Sequence, residues 1–131
     1  MVLSTELKML FYSAILGIIQ LLLAAHFSTL QRGVKWNLSP RDEKVPELTG
    51  VAGRLDRAFK NFMETFPFFI AAIIMVQITQ MHSTMSSMGA MIYFWARLVY
   101  VPLYAAGIPA VRTLVWTVSL VGLIMVMAAL F

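Results

Sequence analysis

Four long apolar stretches, about residues 7–30, 55–80, 88–106 and 110–131, hold most of the hydrophobic side chains of this 131-residue chain. A run of roughly 20 apolar residues is the length an α-helix needs to cross a bilayer. Inside a bilayer every backbone polar group must find its partner within the protein, so such runs become helices. The composition agrees: 60% of residues are hydrophobic and 12% charged, against about 25% charged in globular domains. The expectation is an all-α integral membrane protein with about four spans, a single domain over residues 1–131. The first run is long for a cleaved signal peptide, and no small-x-small site leads from it into a soluble domain.

Several chemistries are excluded at once. The chain has no cysteine, so disulfides, thiolate metal sites and a protein-borne thiol nucleophile are out. His26 and His82 lie in different segments without metal-ligand spacing, and no metal is expected. The net charge of +4 is concentrated between Gln31 and Lys60. Acids are interleaved with bases there and no basic-aromatic module surrounds them, which argues against nucleic acid as a partner. A basic loop beside a membrane span reports orientation instead. The 31–57 loop is expected to be cytoplasmic, with both termini on the opposite side.

The functional signal lies where that loop runs into the second span. A helix through Arg54-Leu55-Asp56-Arg57-Ala58-Phe59-Lys60-Asn61-Phe62-Met63-Glu64 places Arg57, Asn61 and Glu64 on one face, with Arg54 one turn earlier. Polar side chains entering a membrane are costly and usually functional. Pro67 is expected to bend the helix near Glu64. In the third span Arg97, Tyr100 and Tyr104 share a face, and Pro102 suggests another kink. The Gly107-Ile108-Pro109 turn then brings Arg112 to the same membrane surface.

Each residue also has a plainer reading. Arg54, Arg57 and Lys60 could bind lipid phosphates or fix topology, and the tyrosines could be interfacial aromatics. Glu64 could pair structurally with Arg97 or Arg57, or receive the positive end of a ligand. His26 and Trp36 read as interfacial. The ten methionines read as packing material. The small pairs Ala71/Ala72 and Ala105/Ala106 are weak signals of close helix approach.

At these residues the sequence resembles the MAPEG family, the membrane-associated proteins in eicosanoid and glutathione metabolism. Arg57-Ala58-Phe59-Lys60-Asn61-Phe62-Met63-Glu64, followed by Pro67, is similar to the family pattern Arg-Ala-x-x-Asn-x-x-Glu with a following Pro. Phe94-Trp95-Ala96-Arg97-Leu98-Val99-Tyr100 with Tyr104 resembles its third-helix signature, and Pro109-Ala110-Val111-Arg112-Thr113 its fourth-helix opening. Departures exist. Phe59 stands where several eukaryotic members have His, Phe62 where the prostaglandin synthase has Asp, and Tyr100 where that enzyme has His. The step from Tyr104 to Arg112 differs by a residue from that in some relatives.

The resemblance implies a homotrimer of four-helix bundles with active sites at subunit interfaces. It implies that Arg54, Arg57, Asn61, Glu64, Arg97, Tyr100 and Tyr104 bind glutathione as co-substrate, and that Arg112 is the catalytic group favouring its thiolate. The implied activity is a microsomal-type glutathione transferase or peroxidase acting on a hydrophobic small-molecule electrophile or lipid hydroperoxide, surrounded by membrane lipids. Short loops suit a bacterial member, which would sit in the inner membrane. The alternative is a non-catalytic membrane protein that binds an anionic lipid or modulates a partner.

Overall fold

A computed structural model describes residues 2–131. Five helices follow in order: α1 (Thr5–Arg32), α2 (Val34–Leu38), α3 (Gly50–Thr79), α4 (Thr84–Ala105) and α5 (Pro109–Ala128). Local chemistry sets their ends. Ser4 caps α1 by accepting the Leu7 N–H at 3.2 Å. Gly33, at φ 93°, closes α1 by donating its N–H to the Thr29 carbonyl, a backbone angle that glycine adopts freely. At the other end of the molecule, Gln80 turns left-handed after α3. Ser83 and Ser86 then form a reciprocal capping box that starts α4.

That box moves the start of the third long helix from the expected Met88 back to Thr84. Serine at both box positions lacks the usual Glu or Gln signature, so the signal is easily missed. The 32–53 segment is likewise not wholly irregular, because it contains α2. Thr49 fixes the entry to α3 by donating its backbone N–H to the Gln31 side chain at 2.9 Å. Pro67 and Pro102 are accommodated inside α3 and α4, which run on through them. Pro109 occupies the first turn of α5, where its missing N–H costs no hydrogen bond.

α1 packs on both α3 and α4; α5 packs chiefly on α4 and also on α3, whereas α1 and α5 do not meet. The main core joins Phe69, Ala72, Ile73 and Val76 of α3 to Ala90 and Tyr93 of α4 and to Leu123 and Val126 of α5. Phe69 and Tyr93 stack at 4.0 Å between centroids, and the Tyr93 hydroxyl meets Thr65 Oγ1 at 2.9 Å. Close approach of α4 and α5 comes from Gly89 and Gly122. A Cβ on Gly122 would lie 2.7 Å from the Gly89 carbonyl oxygen. Of the expected alanine pairs, Ala72 is fully buried in the core, whereas Ala71, Ala105 and Ala106 are not buried.

Three helices, α1, α3 and α5, are long and apolar enough to cross a membrane. α4 falls short on that measure, carrying Arg97, three tyrosines and three polar residues in its first four. Apolar side chains such as Ile18, Leu22, Phe68, Ile78, Leu114 and Ile124 are exposed, as expected where the solvent is lipid rather than water.

Candidate functional site

The C-terminal ends of α1 and α4 and the N-terminal ends of α3 and α5 meet at one end of the molecule. Arg54, on the first turn of α3, donates from Nη1 to the Ala105 carbonyl at 3.0 Å. It thereby ties α3 to the α4–α5 turn. Gly107, at φ 76°, leaves room for this: a Cβ there would lie 3.2 Å from Arg54 Nη1.

One turn further along α3, Arg57 Nε donates to the Tyr104 hydroxyl at 3.2 Å. Arg112, at the start of α5, holds its guanidinium 4.4 Å from the Tyr104 ring centroid. Tyr104 therefore stands between two cations that approach it differently, one at the hydroxyl and one at the face. Such cation–ring contacts bring each about 0.5–2 kcal/mol, and they hold two like charges near one surface. Tyr100 stacks edge-on with Tyr104 at 5.6 Å, which extends the aromatic wall by one turn of α4.

Around these groups lies an open cleft of about 430 Å³, lined by Arg57, Lys60, Asn61, Glu64, Tyr100, Tyr104, Arg112, Thr113 and Trp116. Six of the eight residues picked out in the sequence thus line one cavity. Arg54 and Arg97 do not. Arg54 serves the turn described above. Arg97 is 1% exposed and lies behind the cleft, where its Nη1 donates to Asn61 Oδ1 at 3.0 Å. Its guanidinium also packs 4.4 Å from the Tyr100 ring centroid and 5.6 Å from that of Phe62.

Glu64 does not form the structural ion pair that was one of its two readings. Among the described residues the ion pairs are Lys60–Asp56 and His82–Glu6. Glu64 is exposed on the cleft wall, free to meet a cationic group.

Lys60, Thr113 and Trp116 also line the cleft, none of them among those eight residues. Helix spacing could have found them: Lys60 is three residues after Arg57, and Trp116 four after Arg112. His26 packs edge-on against Phe27 and takes no part.

The opposite end holds a separate polar cluster that sequence reasoning did not find. Glu6 is 2% exposed and accepts hydrogen bonds from Ser86 and Ser87, while His82 Nδ1 lies 3.2 Å from its other oxygen. No triad follows from it, because the hydroxyls bond to the carboxylate and not to the imidazole. It joins α1 to the α3–α4 connection and carries the partners that a buried carboxylate requires.

Two arginines and a lysine on the cleft wall suit anionic groups, Asn61 offers an amide, and the Glu64 carboxylate suits a cation.

A family model described as MAPEG family matches residues 9–131, nearly the whole chain, and the chain belongs to that family. No curated protein and no solved structure matches it.

Proposed function

We propose that this MAPEG-family chain is a glutathione-dependent transferase or peroxidase that works on hydrophobic substrates in the membrane, as a trimer of single four-span domains. One observation carries the reading: the 430 Å³ cleft combines Arg57 and Arg112 with the unpaired carboxylate of Glu64. Glutathione has two carboxylates and one ammonium. Arg57, with Lys60 beside it on the cleft wall, suits the first pair, Glu64 the last, and Arg112 the thiolate. A purely anionic lipid headgroup would leave Glu64 facing like charge.

In this reading Arg57 and Lys60 hold carboxylates, and Asn61, fixed by Arg97, offers its amide to the peptide backbone. Tyr100 and Tyr104 supply hydroxyls. The guanidinium of Arg112 has the task of favouring the sulfur anion over the thiol. The thiolate is the nucleophile. In conjugation it forms a carbon–sulfur bond while the leaving group, or an opened ring oxygen, takes the electron pair. In peroxide reduction it attacks the O–O bond and releases the alcohol, and a second glutathione then closes a disulfide with loss of water. Trp116, one turn along α5 from Arg112, suits an apolar substrate arriving from the bilayer side. Holding both reactants together removes much of the entropic cost of a bimolecular step.

The test is glutathione binding to the purified protein in detergent by calorimetry, followed by turnover with a nonpolar electrophile and with a lipid hydroperoxide. Saturable binding with turnover of either substrate supports the reading. Absence of binding in a folded trimer overturns it.

A further inference from the structure

We propose that the Glu6–His82 cluster, at the end of the molecule opposite the cleft, is a proton-operated clasp. Protonation of His82 tightens the start of α1 onto the α3–α4 connection, and loss of that proton loosens the cap of α4. The inference does not depend on the glutathione reading.

Three segments meet at Glu6, which stands in the first turn of α1 and is 2% exposed. Ser86 and Ser87, on the first turn of α4, donate their hydroxyls to its Oε1, the second at 3.3 Å. His82, in the connection between α3 and α4, brings Nδ1 to 3.2 Å from Oε2. Close by in the chain, Ser4 Oγ donates to Gln77 Oε1 of α3 at 3.1 Å. A buried carboxylate is the knot that ties the start of α1 to segments distant in the chain.

That knot includes the cap of α4. Ser86 Oγ accepts the Ser83 N–H at 2.9 Å, and Ser83 Oγ accepts the Ser86 N–H at 3.1 Å. One hydroxyl therefore serves both the carboxylate and the capping box. α4 is also the helix that carries Arg97, Tyr100 and Tyr104 towards the other end.

Of the groups in the cluster, imidazole is the one whose charge ordinarily changes between pH 5 and 8. The His82 side chain is 29% exposed and open to solvent protons, whereas that of Glu6 is 2% exposed. Few other charges face the pair. α1 adds the exposed Lys8, which makes no ion pair. Apart from His82 itself, the only titratable side chain between Glu64 and Arg97 is Tyr93, whose hydroxyl is engaged with Thr65. α5 carries none after Arg112, and the carboxylate of Phe131 makes no ion pair.

Glu6 thus faces one switchable cation. A positive charge beside a buried carboxylate offsets its desolvation, so protonated His82 favours the closed clasp. As pH rises through the imidazole range, the ion pair becomes a neutral hydrogen bond and the clasp weakens. α1 and α3, each long and apolar enough to cross a membrane, run between the two ends. The proton that operates the clasp therefore comes from the side opposite the cleft.

The test is backbone hydrogen exchange of the intact protein in detergent, read at the Ser83–Ser87 amides at about pH 6 and about pH 8 and corrected for the intrinsic pH dependence of exchange. The opening equilibrium of these amides is expected to rise about fivefold from the lower to the higher pH. His82→Gln keeps a donor without a titratable charge, and Glu6→Gln removes the carboxylate; each is expected to abolish the rise. His26→Gln is expected to keep it, since His26 lies towards the other end of α1.

Equal opening at both pH values, or tighter closure at the higher one, would overturn the proposal. So would a rise that survives in His82→Gln or Glu6→Gln, or one that disappears in His26→Gln. If Glu6→Gln does not fold, His82→Gln decides the matter, because Ser86 and Ser87 still partner the carboxylate there.

Discussion

Arg97 Nη1 donates to Asn61 Oδ1 at 3.0 Å from a side chain that is 1% exposed. A fixed charge buried between helices thereby sets which way a cleft-lining amide points. No carboxylate pairs with Arg97 among the described residues, and its Nε and Nη2 have no acceptor. The aromatic faces of Tyr100 and Phe62 supply its other contacts. A buried charge held this way is a weak source of stability, so its value lies in position.

Arg97→Met is therefore expected to leave the thermal unfolding midpoint in detergent unchanged or raised, because an apolar side chain of similar length removes a desolvated charge. Glutathione affinity is expected to fall by about tenfold as Asn61 loses its orienting donor. Calorimetry and a melting curve on one preparation check both halves. A variant that loses stability and keeps affinity would assign Arg97 to the fold alone.

In the proposed function Glu64 meets the ammonium of glutathione. Glu64→Gln is expected to weaken glutathione by about tenfold or more. It is expected to leave unchanged the binding of an analogue in which the α-amino group is replaced by hydrogen. The double comparison isolates the carboxylate–ammonium pair. Equal losses for both ligands would place Glu64 elsewhere.

Gly122 faces the Gly89 carbonyl and the Tyr93 amide, each 2.7 Å from where a Cβ would stand. Gly122→Ala forces α4 and α5 apart and is expected to cost about 1–3 kcal/mol, read as a lower melting temperature. The cleft lies towards the opposite end of α5, so glutathione affinity of the folded fraction is expected to hold.

Much of the cleft was legible because helix spacing needs no tertiary information. Arg57, Asn61 and Glu64 share a stripe, and so do Tyr100 and Tyr104; the Gly107 turn delivers Arg112 to the same end. Position along a helix does not reveal depth, however. Arg97 reads like a ligand contact and proves to be buried behind Asn61, while Arg54 is taken up by the Ala105 carbonyl. The α4 start was hidden because a Ser–Ser capping box looks like an ordinary polar link. The Glu6 cluster was hidden for another reason. Its partners lie about 80 positions away in the chain, and only packing brings them together.

In the proposed function Arg112 makes a bound thiol anionic, and the ultraviolet thiolate absorbance of glutathione titrated against pH with the purified protein reads this out. A cation beside the sulfur favours the charged form, so the thiolate should appear on the order of one to three pH units below its position in free glutathione. The shift should vanish in Arg112→Ala while glutathione still binds. If glutathione binds the native protein and titrates as it does free in solution, or if Arg112→Ala keeps the full shift, Arg112 does not activate the thiol.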